Sequence, residues 1–389
     1  MIHILRNAHV YAPEDNGIQH LLIAGGSIVY CGPDIPSIDA SLVASDTDLE
    51  GRVLIPGLVD AHTHTAGGGG ETGYSSRVPA VPLSQFTLAG VTSVVGLLGT
   101  DDTVRTTSSL IAQTYALREE GLNAWCYTGG YHFPITTLTG SVRSDIVHVE
   151  CVIGVGELAI SDHRSSQPSF DEIVRVAGDA HVAGLMTGKA GVVHFHLGDG
   201  ERKLDLIARA LTETEIPARV FNPTHVNRKK ALFEQACELS HQGITIDLTA
   251  FPEEEDDSGD AWSAANGFMH YKEGGNPMDK ITISSDGGGC LPKFDETGEL
   301  LSLDFGRSME LNVTLRSLLK QGEALENILP TMTSNPAALL RLKNKGHIAA
   351  GFDADLVVLD DKTMPQNVMI RGAWHIKDQQ TLIKGLFEG

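Results

Sequence analysis

The two ends of the chain differ from its middle in the pattern of apolar and polar positions. Short runs of alternating apolar and polar residues, such as residues 2–5 and 367–370, are separated by turn sequences that contain glycine and proline. Alternation with a period of two is typical of β-strands that bury one face. We therefore predict one small β-sandwich domain assembled from both termini, over residues 1–52 and 345–389.

The middle of the chain alternates apolar, strand-like runs with amphipathic segments such as residues 171–183 and 231–241. The predicted strands are residues 53–59, 91–95, 124–127, 152–160, 192–196, 219–222, 244–248 and 281–284. This alternation indicates an α/β protein with a parallel sheet covered by helices. Eight such units in roughly 250 residues have the size of a TIM-like (β/α)8 barrel, which we predict over residues 53–344.

Composition narrows the class of partner and the compartment. The 389 residues include 50 acidic and 29 basic side chains, and the net charge of −21 argues against nucleic acid or an anionic membrane surface as a partner. The five cysteines contain no Cys-x-x-Cys pair, so no disulfide framework is predicted. The first residues form a strand pattern rather than a signal sequence, and no apolar run has membrane-spanning length. The sequence thus predicts a cytoplasmic protein.

Candidate chemistry begins at the end of the first predicted strand. His62 and His64 follow the apolar run and precede four consecutive glycines, residues 67–70. Side chains two apart on a strand share a face, so both imidazoles can reach one metal ion. The alternative is a pair of structural histidines with their own hydrogen-bond partners. The apolar strand before the pair and the glycine loop after it favour a metal site.

Other polar residues stand at or beyond the ends of later strands. They are Tyr131 after the third strand, Glu157 within the fourth, Arg164 just beyond it, His196 at the end of the fifth, His225 at the end of the sixth and Asp286 at the end of the eighth. A barrel carries its chemistry on the rim where its strands end, so these side chains are predicted to converge. Four imidazoles and two carboxylates are enough ligands for two divalent ions that share one carboxylate and a water.

The motif Asp60-Ala61-His62-Thr63-His64, the two later single histidines and the final Ser-Ser-Asp resemble the amidohydrolase superfamily of metal-dependent hydrolases. Within it, the chain resembles the isoaspartyl (β-aspartyl) dipeptidase family along almost its whole length. The matching blocks are residues 67–73 (GGGGETG), 94–101 (VVGLLGTD), 130–134 (GYHFP), 160–164 (ISDHR), 196–199 (HLGD), 223–228 (PTHVNR) and 284–287 (SSDG). Seven blocks in the same order are strong evidence, although each alone would be weak.

The resemblance implies a zinc peptidase that hydrolyses the isopeptide bond of β-aspartyl dipeptides with two Zn²⁺ per chain. The implied metal ligands are His62 and His64 on the more buried ion, His196 and His225 on the more exposed ion, Asp286 on the buried ion and a bridging residue on the fourth strand. Asp286 would also shuttle the proton for a hydroxide shared by the ions, and Tyr131 would stabilise the oxyanion. A homo-oligomer, such as an octamer, is implied as well.

The substrate of such an enzyme is a small dipeptide with one ammonium and two carboxylates. The residues implied in binding it are Gly69, Glu71, Thr100, Arg164, Arg228 and Cys290. Glu71 would receive the ammonium, while Arg164 and Arg228 would hold the carboxylates through charge-assisted hydrogen bonds. Cys290 stands where the family has a serine, and a thiol is the weaker donor, so we expect a modest effect on affinity.

The chain departs from the family at the metal bridge. The family pattern has a carboxylated lysine on the fourth strand, whereas this chain has Glu157 there, with Gly156 beside it and one residue more than expected. A glutamate carries the same charge and two oxygens on a shorter stem, so its backbone must approach the metals. A β-bulge at the glycine could supply that approach. We predict that Glu157 bridges directly, the alternative being a carboxylate paired elsewhere in the barrel.

Several other polar residues near these motifs are not included in the predicted set of metal and substrate ligands. His194 shares a face with His196 and could replace it as a ligand, but the following Leu-Gly-Asp favours His196. Asp162 and His163 are interpreted as supporting or structural residues, and His132 has no assigned role. The acidic run at residues 253–257 is interpreted as a solvated loop.

Two other functions remain open. One is another amidohydrolase activity, as an N-acyl-amino-acid deacylase or a cyclic amidase. The other is a non-catalytic scaffold that keeps the barrel without its metals.

Overall fold

The computed structural model of the protein describes residues 1–251, 259–294 and 300–389. The acidic run at residues 253–257 lies outside these described residues, so its prediction stays untested. The N-terminal part forms five strands: β1 (Ile2–Tyr11), β2 (Asp15–Ala24), β3 (Ser27–Gly32), β4 (Val43–Asp48) and β5 (Val53–Pro56). β1 pairs antiparallel with β2 and parallel with both β4 and β5.

The apolar run at residues 53–59 is two strands, and its prediction as one barrel strand is wrong. β5 belongs to the terminal sheet, whereas β6 (Leu58–Thr63) is the first strand of the barrel. Between them the backbone N–H of Gly57 donates to the carbonyl of Asp355, 2.9 Å away. The chain therefore passes from one sheet to the other within a single apolar segment.

The remaining barrel strands lie close to their predicted positions. They are β7 (Val91–Gly96), β8 (Asn123–Thr128), β9 (Val152–Ile160), β10 (Val192–Leu197), β11 (Phe221–Thr224), β12 (Ile246–Thr249) and β13 (Ile281–Ser284). β6 to β11 form one parallel sheet in chain order, and β12 pairs parallel with β13. Across the two seams, Asn222 donates to the Thr245 carbonyl at 2.7 Å and the backbone N–H of His64 donates to the Gly287 carbonyl at 2.7 Å. The eight strands thus close into a (β/α)8 barrel.

Helices connect successive strands and cover the outside of the barrel. Because the strands are therefore parallel, their C-terminal ends lie on one rim. They are α1 (Leu83–Thr87), α2 (Thr107–Glu119), α3 (Val142–His148), α4 (Phe170–Thr187), α5 (Asp205–Glu213), α6 (Lys230–Ser240), α7 (Ala264–Glu273), α8 (Glu310–Lys320), α9 (Leu325–Ile328) and α10 (Ser334–Leu339). The longest, α4, begins at a capping box of Ser169 and Glu172 and ends at Gly188 in the left-handed conformation. The buried residues of α4 pack together with residues of the barrel strands in the main apolar core.

The C-terminal part completes the terminal sheet. A hairpin that the sequence did not predict, β14 (Cys290–Phe294) and β15 (Leu300–Phe305), follows the last barrel strand. After the helices come β16 (Leu356–Leu359), β17 (Pro365–Ile370), β18 (Ala373–Lys377) and β19 (Gln380–Thr381). β16 pairs antiparallel with β5, so strands from both termini share one sheet with its own apolar core. Among the described residues, no helix is both apolar and long enough to cross a membrane.

His375, on β18 of the terminal sheet, is expected to make the stability of the protein depend on pH. Its side chain is buried, and burial, together with the charge of Arg371, lowers its pKa to about 4. An unfolded histidine has a pKa of about 6.5, so below that pH the unfolded chain takes up a proton that the folded chain refuses. Proton uptake by His375 in the unfolded chain therefore does not change the free energy of unfolding above about pH 6.5. It lowers that free energy by up to about 3 kcal/mol as the pH falls towards 4.

The His375→Phe variant is expected to lose less unfolding free energy than the wild type between pH 7 and pH 4. Denaturant titrations of both proteins at the two pH values measure the difference. An identical pH dependence in both proteins would contradict this account of His375.

Candidate active site

The first metal-like group lies where β6 and β13 end. The Nε2 atoms of His62 and His64 lie 3.3 Å and 3.1 Å from Oδ1 of Asp286. Ligand atoms that surround one zinc ion tetrahedrally are about 3.3–3.5 Å apart, given metal–ligand bonds of about 2.0–2.2 Å. These three atoms therefore have the spacing of three ligands of one ion.

Asp60 holds the backbone turn that contains Asp286. The Asp60 carboxylate accepts the backbone N–H of Ser285 at 3.1 Å and the Ser285 hydroxyl, and the Ser285 hydroxyl oxygen accepts the backbone N–H of Gly287 at 2.9 Å. Asp286, between these residues, has a positive φ of 52°. Burial raises the pKa of Asp60 to about 6 against the lowering effect of its hydrogen bonds with Ser285. The turn after β13 is thus tied to the first residue of the histidine motif.

Glu157 reaches the same space from a bulge in β9. Val193 of β10 pairs with Val155 and Phe195 pairs with Leu158, so β9 spans one residue more than β10 over this stretch. A side chain on Gly156 would lie 2.8 Å from Cβ of His194, so the close packing of the two strands requires glycine there. The bulge that the extra residue predicted is confirmed.

The Glu157 carboxylate stands between two sets of imidazoles, one from His62 and His64 and the other from His196 and His225. Its Oε1 is 3.3 Å from Nε2 of His64, while its Oε2 is 3.6 Å from Nε2 of His225 and 3.2 Å from Nδ1 of His196. Oε2 is also 3.7 Å from Nε2 of His62. A second metal-like group consists of His62, Glu157 and His225. One carboxylate therefore contacts both groups.

The charges of this cluster favour a bound cation. Burial disfavours charge on His64, but Asp286 and Glu157 outweigh it and raise the His64 pKa to about 10. Burial raises the pKa of Asp286 and Glu157 in turn, but the surrounding imidazoles more than reverse this and hold both pKa values low. Burial lowers the pKa of His225 well below its usual range. Two carboxylates thus stay ionised inside a ring of imidazoles, as metal ligands must.

Buried polar atoms without partners point into the same space. Nε2 of His62 and Oδ1 of Asp286 have no hydrogen-bond partner among the described residues, although both are enclosed by protein. An unpaired buried polar atom costs about 1–3 kcal/mol, so such atoms call for a ligand. The residues present fit divalent metal ions in number, in donor type and in spacing.

Tyr131 and Asp162 both contact the imidazole of His196. The Tyr131 hydroxyl lies 2.7 Å from Nδ1 of His196, and Oδ2 of Asp162 lies 3.0 Å from Nε2. His196 is close to Glu157 but belongs to neither metal-like group, so its role as a ligand stays a prediction. Burial raises the Tyr131 pKa well above its usual value, which keeps the hydroxyl protonated and able to donate.

The predicted substrate residues Glu71, Arg164 and Arg228 lie near one another beside His196. Oε1 of Glu71 accepts the hydroxyl of Thr100 at 2.9 Å and lies 3.5 Å from Nη1 of Arg164. Arg164 also donates from Nη2 to Asp162 at 2.7 Å. Arg228 donates from Nη1 to the Leu197 carbonyl at 2.9 Å. These cationic and anionic groups line one side of the site.

Gly69 and Cys290 lie beside this group. A Cβ on Gly69, which has a φ of +74°, would lie 2.5 Å from the Ser76 carbonyl and 3.2 Å from Cβ of Cys290, so the glycine loop passes close to the thiol. Burial raises the pKa of Cys290 to about 11, with a smaller contribution from Glu71. The structure therefore brings together both of these residues and the rest of the predicted substrate set.

Sequence reasoning weighed His194 only as an alternative metal ligand and did not predict its contact with His62. His194 contacts Nδ1 of His62 through its own Nε2, at 2.7 Å. Burial lowers the His194 pKa to about 3, so it is neutral. Its partner Asn222 carried no sequence signal. The apolar strands around both residues could have indicated only that two buried polar side chains need each other.

Comparisons with known proteins agree with this architecture. The model of the amidohydrolase family matches residues 53–375. The β-aspartyl dipeptidase of the thermophilic, keratin-degrading Fervidobacterium islandicum AW-1, solved in complex with β-Asp-Leu dipeptide, is 40% identical over 98% of each chain with a TM-score of 0.91.

More distant relatives match most of the chain. The imidazolonepropionase of Ruegeria sp. (strain TM1040) is 23% identical, and the match covers 89% of this chain and 87% of that protein. The dihydropyrimidinase of Brevibacillus agri NCHU1002 is 16% identical, covers 99% of this chain and 97% of its own, and has a TM-score of 0.67. The chain belongs to the amidohydrolase family, and within it to the β-aspartyl dipeptidases.

Proposed function

We propose that this protein hydrolyses β-aspartyl dipeptides at a centre that would hold two zinc ions, with the Glu157 carboxylate as the ligand that both ions would share. The observation that carries the proposal is the contact of Glu157 with both sets of imidazoles through its two oxygens. A plain glutamate supplies the single charge and paired oxygens that a carboxylated lysine would supply. Two ions held there would provide hydroxide near neutral pH and polarise the scissile carbonyl.

The surrounding residues perform the proton transfers and charge stabilisation. Asp286 is ionised and directs Oδ1 into the site, so it can take a proton from the attacking water and return it to the leaving amine. Tyr131 keeps its proton and can donate a hydrogen bond to the oxyanion. In this role its hydroxyl would turn from His196 towards the substrate.

The substrate is recognised through its charges. We assign the ammonium to Glu71, which Thr100 orients by a hydrogen bond. Arg164 and Arg228 would each donate to a carboxylate of the substrate. The β-Asp-Leu complex of the Fervidobacterium islandicum relative supports this substrate class.

A substrate panel tests the proposal against another amidohydrolase activity. The panel contains β-Asp-Leu, α-Asp-Leu, an N-acetyl amino acid and dihydroorotate, with metal content measured on the same sample. We expect hydrolysis of β-Asp-Leu above all others. Hydrolysis of only the last two would overturn the choice of substrate, and less than about one ion per chain without any hydrolysis would favour the non-catalytic scaffold.

Arg228 gives a prediction on binding. The Arg228→Met variant keeps the apolar stem and loses the guanidinium, and a charged hydrogen bond contributes about 1.5–3 kcal/mol, so KM for β-Asp-Leu is expected to rise by roughly 10- to 100-fold. The matched control is Arg209→Met, which removes an exposed arginine that pairs with Glu213 on α5. Steady-state kinetics of the three proteins decide, and an unchanged KM in Arg228→Met would remove Arg228 from the binding site.

A further inference from the structure

A chain of buried hydrogen bonds runs from the back of His62 across the barrel to the start of β12. Nδ1 of His62 lies 2.7 Å from Nε2 of His194, and Nδ1 of His194 lies 2.6 Å from Oδ1 of Asn222. The Asn222 amide then donates from Nδ2 to the Thr245 carbonyl at 2.7 Å. The three side chains in this chain are buried.

The direction of every bond follows from its last member. A backbone carbonyl can only accept, so Asn222 must present its NH2 group to Thr245 and its oxygen to His194. Nδ1 of His194 must then carry a proton to donate to that oxygen. A neutral His194 has its lone pair on Nε2, which accepts the proton on Nδ1 of His62. When His62 is neutral, as a metal-binding imidazole must be, its Nε2 is then the nitrogen that carries the lone pair.

That nitrogen is the atom directed at the metal-like groups. Nε2 of His62 lies 3.3 Å from Oδ1 of Asp286 and has no hydrogen-bond partner among the described residues. Metal-bound histidines commonly donate their other ring N–H to a protein group that fixes the ring and its tautomer. His64 has no such partner, since its Nδ1 forms no hydrogen bond within the described chain. Of the first histidine pair, only His62 is held in this way.

We propose that His194 is a positioning residue that, with Asn222, sets the tautomer of His62 and so its affinity for metal. This inference rests on the proposed metal centre. It gives His194 a function distinct from the ligand role that the sequence left open. Gly156 packs against Cβ of His194, so the same residue supports the bulge that delivers Glu157.

Zinc affinity tests the inference directly. The His194→Phe variant keeps an aromatic ring for the stacking on Tyr127, whose ring centroid lies 5.4 Å from that of His194, but removes the acceptor for His62. We expect its affinity for Zn²⁺, measured by chelator competition after metal removal, to fall by roughly 10- to 100-fold. The His194→Gln variant can again offer an oxygen to Nδ1 of His62 and is expected to recover most of the loss. The matched control, His375→Phe, removes a buried imidazole in the terminal sheet and should bind Zn²⁺ as the wild type does.

The outcomes separate this inference from the proposed function. A wild type that binds no Zn²⁺ would overturn both. A wild type that binds Zn²⁺, with a folded His194→Phe of equal affinity, would overturn only the role of His194. If His194→Phe fails to fold, Asn222→Leu tests the same chain, because it frees the tautomer of His194. Wild-type affinity in that folded variant would then overturn the inference.

Discussion

Replacing Asp286 with asparagine is expected to lower kcat for β-Asp-Leu by on the order of 10²–10⁴-fold, the usual contribution of a positioned acid–base group. Asparagine keeps an oxygen near His62 and His64 but cannot accept and return a proton. Asp60 and Ser285 hold the turn in place in both proteins, so the change is confined to the side chain. Steady-state kinetics and metal analysis of the same preparations measure the effect.

Metal content decides how a loss in Asp286→Asn is interpreted. Retained ions with a low kcat would locate the defect in proton transfer. Lost ions would locate it in ligation, as the 3.1 Å and 3.3 Å contacts of Asp286 with the imidazoles allow. A variant with full metal content and wild-type kcat would exclude Asp286 from the reaction.

Removing the Tyr131 hydroxyl is the second large change. The loss of one oxyanion donor costs on the order of 10²–10³-fold in kcat, which we expect for Tyr131→Phe with an unchanged metal content. The matched control is Tyr127→Phe, because Tyr127 is a second buried tyrosine whose hydroxyl has no hydrogen-bond partner among the described residues. Its loss should leave kcat unchanged. Equal kinetics for the two variants would show that Tyr131 does not stabilise the transition state.

Much of the barrel was predictable because its strands are buried on both faces. Short segments rich in β-branched and apolar residues, such as β7 and β10, indicate buried strands, and a parallel barrel brings the ends of its strands to one rim. The bulge at Gly156 could also be predicted, since a buried strand with one additional residue beside a glycine keeps its pairing by bulging at that point. Chemistry-bearing residues at strand ends therefore converged as expected.

The failures have equally physical causes. The sequence could not reveal the division between β5 and β6, because the apolar run 53–59 is compatible with a buried strand in either sheet. Only the pairing of β5 with β1 and β16 shows that the first four residues belong to the terminal sheet. The hairpin of β14 and β15 depends on contacts between its own strands.

The contact of His194 with His62 joins β10 to β6, which are not neighbours in the sheet. Spacing along one strand cannot reveal such a contact. The same holds for Asp162, whose hydrogen bonds to His196 and Arg164 depend on how a loop folds back over the rim.

The metal content of Glu157→Ala, compared with that of the wild type, tests the central claim most directly. Both proteins are prepared and assayed in buffer freed of CO₂ and bicarbonate, with Glu323→Ala as the control for loss of a buried carboxylate outside the site. We predict two ions per chain and full activity for the wild type and for Glu323→Ala. For Glu157→Ala we predict at most one ion and little hydrolysis. Two ions per chain and normal turnover in Glu157→Ala would contradict the bridge.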